Sequence, residues 1–459
     1  MSARVLHRGA VAAIAGAVLV AAVPLARAVS VGPDSPGCVL APAPELGLSE
    51  TNRVQVDQRL LDLTVHSIAM RGDQHVNVLL PVDYDATGAT RYPVLYLLHG
   101  AFGSYRDWAA HGVESMVGNR PLIVVMPDDG PDGSYSDWYG TLAGTSDPPP
   151  AWESYHLREL VPFVDQAFPT NATRAGRFIA GLSSGGGGTM KYAAANPGMF
   201  GAAGSFSGAV DTDADYPFYP TISEALWVAT LIPGSGPDGH CTWGDPYTQR
   251  VVWLDNNPTS LAENLQGTAL WLAWGNGNDP NGGWDPVEAE IARMNQLFVE
   301  ALGAAGLGYS GPGLYGDGTH TWPYWEQDFK DFLAWLDVTQ LPSPPATFSY
   351  RSARPSFSAW DWHFGVHREV REFLYLRNIS ATGFTVTGSG SLDVTTAPLY
   401  VPGRSYTVTA GGGQQIVAAD PDGRLDFTLD LGPSHQVQQY RFEPDSTADW
   451  VSLDVAIAG

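Results

Sequence analysis

One serine of the chain has the flanking sequence of a covalent nucleophile. The string Gly181-Leu182-Ser183-Ser184-Gly185 follows an apolar stretch at residues 177–180 and precedes a helix-like stretch at residues 189–195. A strand, G-x-S-x-G and a helix in this order are typical of a sharp turn that lifts a serine hydroxyl above a sheet. The same turn puts the Ser184 N–H at a helix N-terminus, where it can donate to a developing oxyanion. The pattern therefore predicts acyl chemistry on Ser183.

A general base is expected downstream of this serine, because the usual order in such sites is serine, acid, histidine. His320 fits, since it follows the polar turn Gly316-Asp317-Gly318-Thr319 and precedes a helix-like stretch at residues 324–336. A neutral His320 would take the Ser183 proton on attack and return it to the leaving group. Three other histidines are in the wrong order or lack this context: His111, His156 and His240.

Two carboxylates could orient His320, and the residues alone do not choose between them. Asp279 follows the predicted strand at residues 269–274, and Glu288 lies just before a predicted helix at residues 290–302. Either acid could hold the imidazole and stabilise its positive charge. The acid therefore stays open at this point.

A second oxyanion donor is expected after the predicted strand at residues 93–98. There the chain reads His99-Gly100-Ala101-Phe102-Gly103, and Gly100 allows close backbone approach. Ala101 or Phe102 would supply the N–H. His99 could be mistaken for the base, but we expect it to support this loop.

The elements that must hold these residues alternate between strand and helix. Near-continuous apolar runs predict buried strands at residues 76–80, 93–98, 122–126, 177–180 and 269–274. Residues 153–168 carry apolar side chains at helical spacing. Such alternation predicts an α/β domain with a mostly parallel central sheet, which we place at residues 55–340.

The C-terminal part has a different pattern. Residues 341–347 are rich in proline and predict a linker. Beyond them, short alternating stretches separated by Gly, Pro and Asp predict a β-sandwich-like domain at residues 348–459. The predicted strands are residues 373–376, 383–387, 405–409, 424–431, 437–442 and 451–457.

The N-terminal segment has the pattern of an export signal. Residues 1–28 hold basic residues, then a short apolar run, then Ala26-Arg27-Ala28. The run is short for a membrane span, and residues 29–54 predict an extended lead-in. Two cysteines remain, Cys38 and Cys241, and an even count in an exported chain suggests one disulfide without showing that the two meet.

Composition excludes some functions. The formal charge of −24 argues against electrostatic binding of nucleic acid or of an anionic membrane surface. No His, Cys and Asp residues occur at metal-ligand spacing, and no phosphate-binding loop follows the glycine run at residues 185–188. We therefore expect neither a metal nor a cofactor. The sequence does not indicate an oligomeric state.

Several strings resemble the antigen 85 mycolyltransferases, within the esterase D-like branch of the α/β-hydrolases. The likeness covers roughly residues 55 to 338. The more specific strings are Ser136-Asp137-Trp138-Tyr139 and Gly318-Thr319-His320-Thr321-Trp322-Pro323-Tyr324-Trp325, joined by Gly181-Leu182-Ser183 and Trp274-Gly275-Asn276-Gly277-Asn278. The resemblance implies an α/β-hydrolase fold for this part of the chain.

The resemblance also implies roles for single residues. The family has a Ser nucleophile, a His base and a Glu acid that stands seven residues before an Asn-Gln-x-Phe stretch; here the stretch begins at Asn295, which favours Glu288 over Asp279. The oxyanion donors fall on the backbone of Ala101 and Ser184. Trp322 matches an aromatic position that lines the acyl-acceptor cleft. Phe102 replaces an arginine that helps to hold trehalose in the family, so the resemblance does not extend to trehalose as the acceptor. We expect Phe102 and Trp322 to contact substrate.

Three functions follow as hypotheses. The first is a secreted or cell-envelope acyltransferase that takes an acyl group from an ester or glycolipid and gives it to a sugar hydroxyl. The second is a secreted carboxylesterase, in which water accepts the acyl group by the same machinery. The third is a non-catalytic module that binds carbohydrate or matrix. Because serine, base and acid candidates are all present, the sequence favours an enzyme.

Overall fold

Two regions of β structure organise the part of the chain that the computed structural model describes. The described residues are 38–40, 42–130, 133–142, 149–214, 241–244, 249–436, 438 and 450–459. The predicted export signal lies outside them, and so does the predicted strand at residues 437–442 except for Gln438.

A nine-stranded sheet forms the centre of the N-terminal region. The strands there are β1 Cys38–Leu40, β2 Leu48–Gln55, β3 Leu60–Ser67, β4 Gly72–Leu79, β5 Val94–Leu98, β6 Ile123–Pro127, β7 Gly140–Leu142, β8 Arg177–Leu182, β9 Ala202–Phe206, β10 Ala269–Trp274 and β11 Ser310–Leu314. The order across the sheet is β11-β10-β9-β8-β5-β6-β4-β3-β2, while β1 pairs only with β7. Along this order, the neighbouring strands β6, β5, β8, β9, β10 and β11 pair in parallel. The neighbouring strands β6, β4, β3 and β2 pair antiparallel. The predicted mostly parallel sheet is confirmed.

Helices cover both faces of this sheet. They are α1 Asp107–Ala110, α2 Val113–Val117, α3 Val161–Ala167, α4 Ser184–Ala195, α5 Arg250–Asp255, α6 Pro286–Ala304 and α7 Trp322–Leu336, with a π-helix at Ser154–Leu160 and 3₁₀ turns at Arg174–Gly176 and Ala262–Leu265. Alternate residues of a strand point to opposite faces. Accordingly Tyr96 of β5 belongs to the apolar core that includes α4 and α6, and Leu97 belongs to the one that includes α7. Strand order and helix placement are those of an α/β-hydrolase fold.

The C-terminal region consists of two antiparallel sheets. Its strands are β12 Phe348–Ser352, β13 Ser356–Ala359, β14 Trp362–His367, β15 Leu374–Ser380, β16 Gly383–Gly388, β17 Ser391–Thr395, β18 Ser405–Ala410, β19 Gly413–Ala418, β20 Asp426–Asp430 and β21 Val451–Ala458. One sheet has the order β12-β15-β16-β21-β18-β19 and the other β13-β14-β17-β20. Residues such as Phe364 and Val386 from the two sheets share one apolar core, which confirms the predicted β-sandwich-like fold.

The two regions share buried contacts. The Tyr350 hydroxyl of β12 donates to the Ala195 carbonyl at the end of α4, over 2.8 Å. Ala353, Phe373 and Tyr375 belong to the same apolar core as the sheet and α4. The C-terminal region thus packs directly on the helix that begins beside Ser183.

Two predicted helices differ from the structure, and the first difference matters for the site. The helix predicted at residues 290–302 begins at Pro286, so Glu288 lies in its first turn and not before it. The helix predicted at residues 153–168 is a π-helix at Ser154–Leu160 and an α-helix at Val161–Ala167.

Cys241 is disulfide-bonded and fully buried, and Cys38 is the only other cysteine of the chain. In the described ranges, no helix is both long and apolar enough to span a membrane.

Candidate active site

Ser183 occupies a sharp turn between β8 and α4. Its backbone has φ 54° and ψ −122°, a conformation that non-glycine residues rarely adopt. Two hydrogen bonds fix the turn: the Ser183 N–H donates to the Phe206 carbonyl over 3.0 Å, and the Ala209 N–H donates to the Ser183 carbonyl over 2.9 Å. Strain of this kind persists where the surroundings enforce it, as is common at functional sites.

Two glycines that lie next to this turn allow other parts of the backbone to pack closely against it. A Cβ on Gly181 would lie 2.5 Å from the Gly185 carbonyl oxygen. A Cβ on Gly100 would lie 2.6 Å from Cδ1 of Leu182 and 3.2 Å from Cβ of Ser183. The loop after β5 therefore lies directly against the nucleophile turn, as the sequence predicted for an oxyanion loop.

His320 links Ser183 to a buried carboxylate. Its Nε2 lies 2.8 Å from Ser183 Oγ, and its Nδ1 lies 2.7 Å from Glu288 Oε2. The His320 N–H donates to Asp285 Oδ2 over 2.8 Å, and the ring meets the Trp325 ring edge-on at 4.9 Å. His320 is thus held by hydrogen bonds of both ring nitrogens, by the hydrogen bond of its backbone N–H and by the contact with the Trp325 ring.

The Glu288 carboxylate is completely buried, with 0% of the residue exposed. Oε1 accepts from the Gly275 N–H over 2.6 Å and from the Ser207 hydroxyl over 2.8 Å. Because Oε1 is occupied by these donors, Oε2 is directed at His320. This arrangement leaves His320 Nδ1 as a donor and Nε2 free to accept the Ser183 proton.

Asp279, the other candidate acid, is not brought to His320. Its Oδ1 accepts from the N–H and the side-chain amide of Asn281, over 2.8 and 3.2 Å. Its own N–H donates to the Gly283 carbonyl. Asp279 therefore stabilises a turn between β10 and α6, and of the two acids only Glu288 contacts the imidazole.

The two predicted oxyanion donors lie on half-buried residues next to the nucleophile turn. Ser184 is the first residue of α4, and Ala101 follows the glycine that packs on Ser183. Within the described part of the chain, neither N–H donates to a protein acceptor. A free N–H at a helix N-terminus favours a negative charge.

His99 fixes the shape of the loop that carries Ala101. It is buried, its Nε2 accepts from the Asp129 N–H over 3.0 Å, and its Nδ1 lies 2.7 Å from the Gly100 carbonyl oxygen. Since Nε2 is the acceptor, Nδ1 carries the proton and donates to that carbonyl. The Tyr135 hydroxyl donates to the His99 carbonyl over 2.7 Å. His99 thus has no nitrogen left for proton transfer with Ser183, in agreement with a supporting role.

The two residues predicted to touch substrate have different surroundings. Phe102 has φ 60° and is 72% exposed in the predicted oxyanion loop. Trp322 is half-buried: it stacks on His111 at 3.6 Å and 4° and meets Trp108 edge-on at 5.2 Å. Phe102 is available to a ligand, and Trp322 forms part of an aromatic wall next to His320.

Sequence reasoning missed two residues that hold this arrangement. Asp285 caps α6 through Oδ1, which accepts from the N–H groups of Val287 and Glu288 over 2.9 and 3.3 Å, while Oδ2 holds His320. The dipeptide Asp285-Pro286 is a recognisable helix start and would have moved the predicted helix to its true beginning. Ser207 has no comparable signal, because it reaches Glu288 from the end of a different strand.

A second carboxyl group lies behind the triad candidates. Asp328 on α7 is buried, and burial, with further contributions from Glu288 and Asp331, raises its pKa to about 8. Asp328 is therefore largely protonated at neutral pH. Among the described residues, no group of three or more His, Cys, Asp or Glu side chains is arranged to hold a metal ion.

Comparisons with known proteins cover the part of the chain that contains this site. The model of an esterase family, described as "Putative esterase", matches residues 67–336. Esterase Rv1288 of Mycobacterium tuberculosis (strain ATCC 25618 / H37Rv) is 33% identical over 265 residues, which are 57% of this chain and 56% of that protein. Diacylglycerol acyltransferase/mycolyltransferase Ag85B of Mycobacterium leprae (strain TN) is 30% identical over 268 residues, 56% of this chain and 79% of that protein.

Among solved structures, an S-formylglutathione hydrolase from Agrobacterium tumefaciens is similar, with a TM-score of 0.47 and 19% identity over 63% of this chain and 98% of that one. The chain matches little more than half the length of the Rv1288 protein.

Proposed function

Because the chain belongs to the esterase family whose model matches residues 67–336, we propose that it is a serine esterase or acyltransferase that works through an acyl ester on Ser183. One observation carries the proposal. Ser183 Oγ, His320 and Glu288 form a continuous hydrogen-bonded chain, with steps of 2.8 and 2.7 Å, that ends on a fully buried carboxylate. Such a chain activates a serine as a nucleophile.

The first half of the reaction forms the acyl-enzyme. Ser183 Oγ attacks the carbonyl carbon of the ester while His320 Nε2 accepts the hydroxyl proton. The N–H groups of Ala101 and Ser184 stabilise the negative charge on the carbonyl oxygen, and Glu288 stabilises the imidazolium. When the tetrahedral intermediate collapses, the ester C–O bond breaks and His320 gives its proton to the departing alcohol.

The second half transfers the acyl group to an acceptor. His320, again neutral, takes a proton from the acceptor hydroxyl, whose oxygen attacks the Ser183 ester. The second tetrahedral intermediate breaks at the Ser183 Oγ–carbon bond, and His320 returns the proton to Oγ. Water as acceptor gives hydrolysis and a sugar hydroxyl gives transfer, so one set of residues serves both reactions.

An acyl ester or glycolipid is the proposed donor, and a sugar hydroxyl or water the proposed acceptor. The name of the Ag85B relative describes an acyltransferase and that of Rv1288 an esterase. The exposed Phe102 and the aromatic wall at Trp322 favour a substrate with apolar or ring-shaped parts. The arginine that would hold trehalose in antigen 85 proteins is replaced by Phe102, so the acceptor need not be trehalose.

We also propose that the protein works outside the cytoplasm, either secreted or at the cell envelope. The support is the basic and apolar pattern of residues 1–28 with its small-residue cleavage site. The proposed boundaries are a lead-in at residues 29–54, a catalytic domain at 55–340, a linker at 341–347 and a β domain at 348–459.

The test compares wild type with Ser183→Ala on a medium-chain p-nitrophenyl ester, with and without trehalose or glucose. The matched control is Ser184→Ala, which removes the neighbouring hydroxyl but keeps the N–H proposed to bind the oxyanion. We expect nitrophenol release from wild type and Ser184→Ala, and a loss of about 10³-fold or more for Ser183→Ala. Sugar ester detected by mass spectrometry would establish transfer, and release without it would establish hydrolysis. Equal release from Ser183→Ala and wild type would contradict the proposal.

A further inference from the structure

A cluster of charged side chains, buried except for Arg354, which is about one quarter exposed, joins the C-terminal region to the α/β region. Arg354 makes a bidentate ion pair with Glu153, with Nη1–Oε1 at 2.5 Å and Nη2–Oε2 at 2.9 Å. Lys191 Nζ lies 3.4 Å from Glu153 Oε2. Glu153 and Lys191 are both buried, so a single carboxylate lies between one cation from each region.

The C-terminal region presents Arg354 in a fixed position. The residue lies in the turn between β12 and β13, directly after Ala353, whose N–H donates to Asp255 Oδ1 over 2.9 Å. The Ser352 hydroxyl donates to the same oxygen over 3.2 Å, and Arg354 Nε lies 3.7 Å from Asp255 Oδ2. A bidentate pair with both partners held in this way is the strong, directional form of an ion pair.

Lys191 connects this cluster to the wall of the active site. It lies on α4, and its Nζ donates to the Tyr135 carbonyl over 2.5 Å and to the Ser136 hydroxyl over 2.7 Å. Tyr135 in turn donates from its hydroxyl to the His99 carbonyl over 2.7 Å. His99 is the residue that fixes the Gly100 carbonyl and hence the loop with Ala101.

The charges of the cluster depend on Arg354. Burial alone would raise the pKa of Glu153, but Arg354 and Lys191 lower it to about 2, so the carboxylate is ionised. Burial lowers the pKa of Lys191, and Glu153 counters this effect. Asp137 and Asp255 also face the cluster, as does Arg371, which acts on Asp255. Without Arg354, the buried carboxylates would lose their strongest partner, and an uncompensated buried charge is costly.

We infer that Arg354 is a positioning residue for the Ser183 site: by neutralising Glu153 it lets Lys191 hold Tyr135, and through Tyr135 and His99 it holds the oxyanion loop. The C-terminal β region is then part of the working active site and not a separate attachment. This inference rests on the proposed function for its kinetic consequence, but its structural consequence can be measured without any activity.

The experiment uses the full chain and three arginine variants. Arg354→Met removes the charge and keeps most of the length, Arg354→Lys keeps the charge without the bidentate geometry, and Arg377→Met makes the same charge change at an exposed site of β15. A fourth variant, Glu153→Gln with Arg354→Met, removes both charges of the pair. Active enzyme is counted by stoichiometric labelling of Ser183 with a fluorophosphonate probe, so misfolded protein does not enter the rates.

The expected kinetic result is specific to a positioning role. We expect Arg354→Met to lower kcat per labelled site by about tenfold with KM changed less than about twofold, a partial form of the loss seen when an oxyanion donor is removed. Arg354→Lys should recover most of that kcat, and Arg377→Met should match wild type. The double variant should recover only part of it, because it removes the unpaired Glu153 charge but also leaves Lys191 without its counter-charge. If Arg354→Met keeps the wild-type kcat per labelled site and only melts earlier, Arg354 is merely structural and the inference is wrong.

Hydrogen–deuterium exchange separates this outcome from a failure of the proposed function. Peptides that cover residues 97–105 should exchange faster in Arg354→Met than in Arg377→Met, while peptides from β10 should exchange alike in both. Faster exchange at the loop supports the inference even if no ester is turned over. Unchanged exchange at the loop would overturn it even if Ser183 proves to be the nucleophile.

Discussion

Replacing Glu288 by glutamine tests the proposed relay with almost no change of volume. The Gly275 N–H and the Ser207 hydroxyl both donate to Oε1, so the glutamine oxygen is retained at that position and its NH₂ group faces His320. An amide donor opposite Nδ1 forces the imidazole proton onto Nε2. In that tautomer His320 cannot accept the Ser183 proton.

The expected loss can be sized in two ways. The Coulomb attraction between a carboxylate and the imidazolium that forms 2.7 Å away in the transition state is about 6 kcal/mol at an effective dielectric constant of about 20. The corresponding acid-to-amide change in a serine protease triad costs about 10⁴-fold in kcat, or about 5.4 kcal/mol. We therefore expect Glu288→Gln to lower kcat by about 10³- to 10⁴-fold, with a much smaller effect on KM.

The assay is steady-state release of nitrophenol from a p-nitrophenyl ester, normalised to folded protein by circular dichroism. Asp279→Asn is the matched control, because it makes the same chemical change at the acid that does not touch His320. We expect Asp279→Asn to keep kcat within about threefold, as for other surface changes away from the reacting atoms. A large loss in Asp279→Asn together with a small one in Glu288→Gln would refute the reasoning.

Two further predictions follow from neighbouring residues. Asp285→Asn should keep the cap of α6 but present an NH₂ group to the His320 N–H. We expect the free energy of unfolding, measured by denaturant titration, to change by less than about 1 kcal/mol. We expect kcat, measured by ester hydrolysis, to fall by about tenfold. Equal losses of stability and activity would contradict this separation. The pKa of Asp328 in the folded state is about 8, well above its ordinary value. Between pH values of about 4 and 8, the folded state therefore binds one more proton than the unfolded state. In this range the free energy of unfolding falls by about 1.4 kcal/mol for each unit by which the pH rises. Asp328→Asn should remove this slope, so its melting temperature should exceed that of wild type by more at pH 8 than at pH 5; a constant difference across this range would show that Asp328 does not hold its proton.

The sequence was sufficient for the parts of the site that are local. Ser183 and His320 each lie within a short string with its own turn and helix, and the structure brings both together. The acid cannot be predicted in this way, because the local pattern fits Asp279 and Glu288 equally well. Only the family resemblance favours Glu288. What selects Glu288 physically is the pair of donors on Oε1, and these come from Ser207 and Gly275 at the ends of two other strands.

The elements that escaped prediction have clear physical reasons. The edge strand β11 has the sequence Ser-Gly-Pro-Gly-Leu. Glycine and proline are tolerated there because an edge strand forms backbone hydrogen bonds to a neighbouring strand on one side only. Nearly all of β2 is exposed, so it has no apolar alternation to detect. The pairing of Arg354 with Glu153 joins residues 201 positions apart, which no local pattern could indicate.

The run of glycines in the first turns of α4 has a consequence for the folding of this helix. Gly185 to Gly188 each lie against a different neighbour, namely the His99 carbonyl, Gly208, Ala209 and the Tyr135 ring. Glycine costs a helix roughly 0.5–1 kcal/mol per residue relative to alanine, so four in succession leave this segment with little helical tendency of its own. Only the finished surroundings make it a helix. We therefore expect the nucleophile turn to be assembled late in folding, so that mutations in the first turns of α4 speed unfolding more than they slow folding.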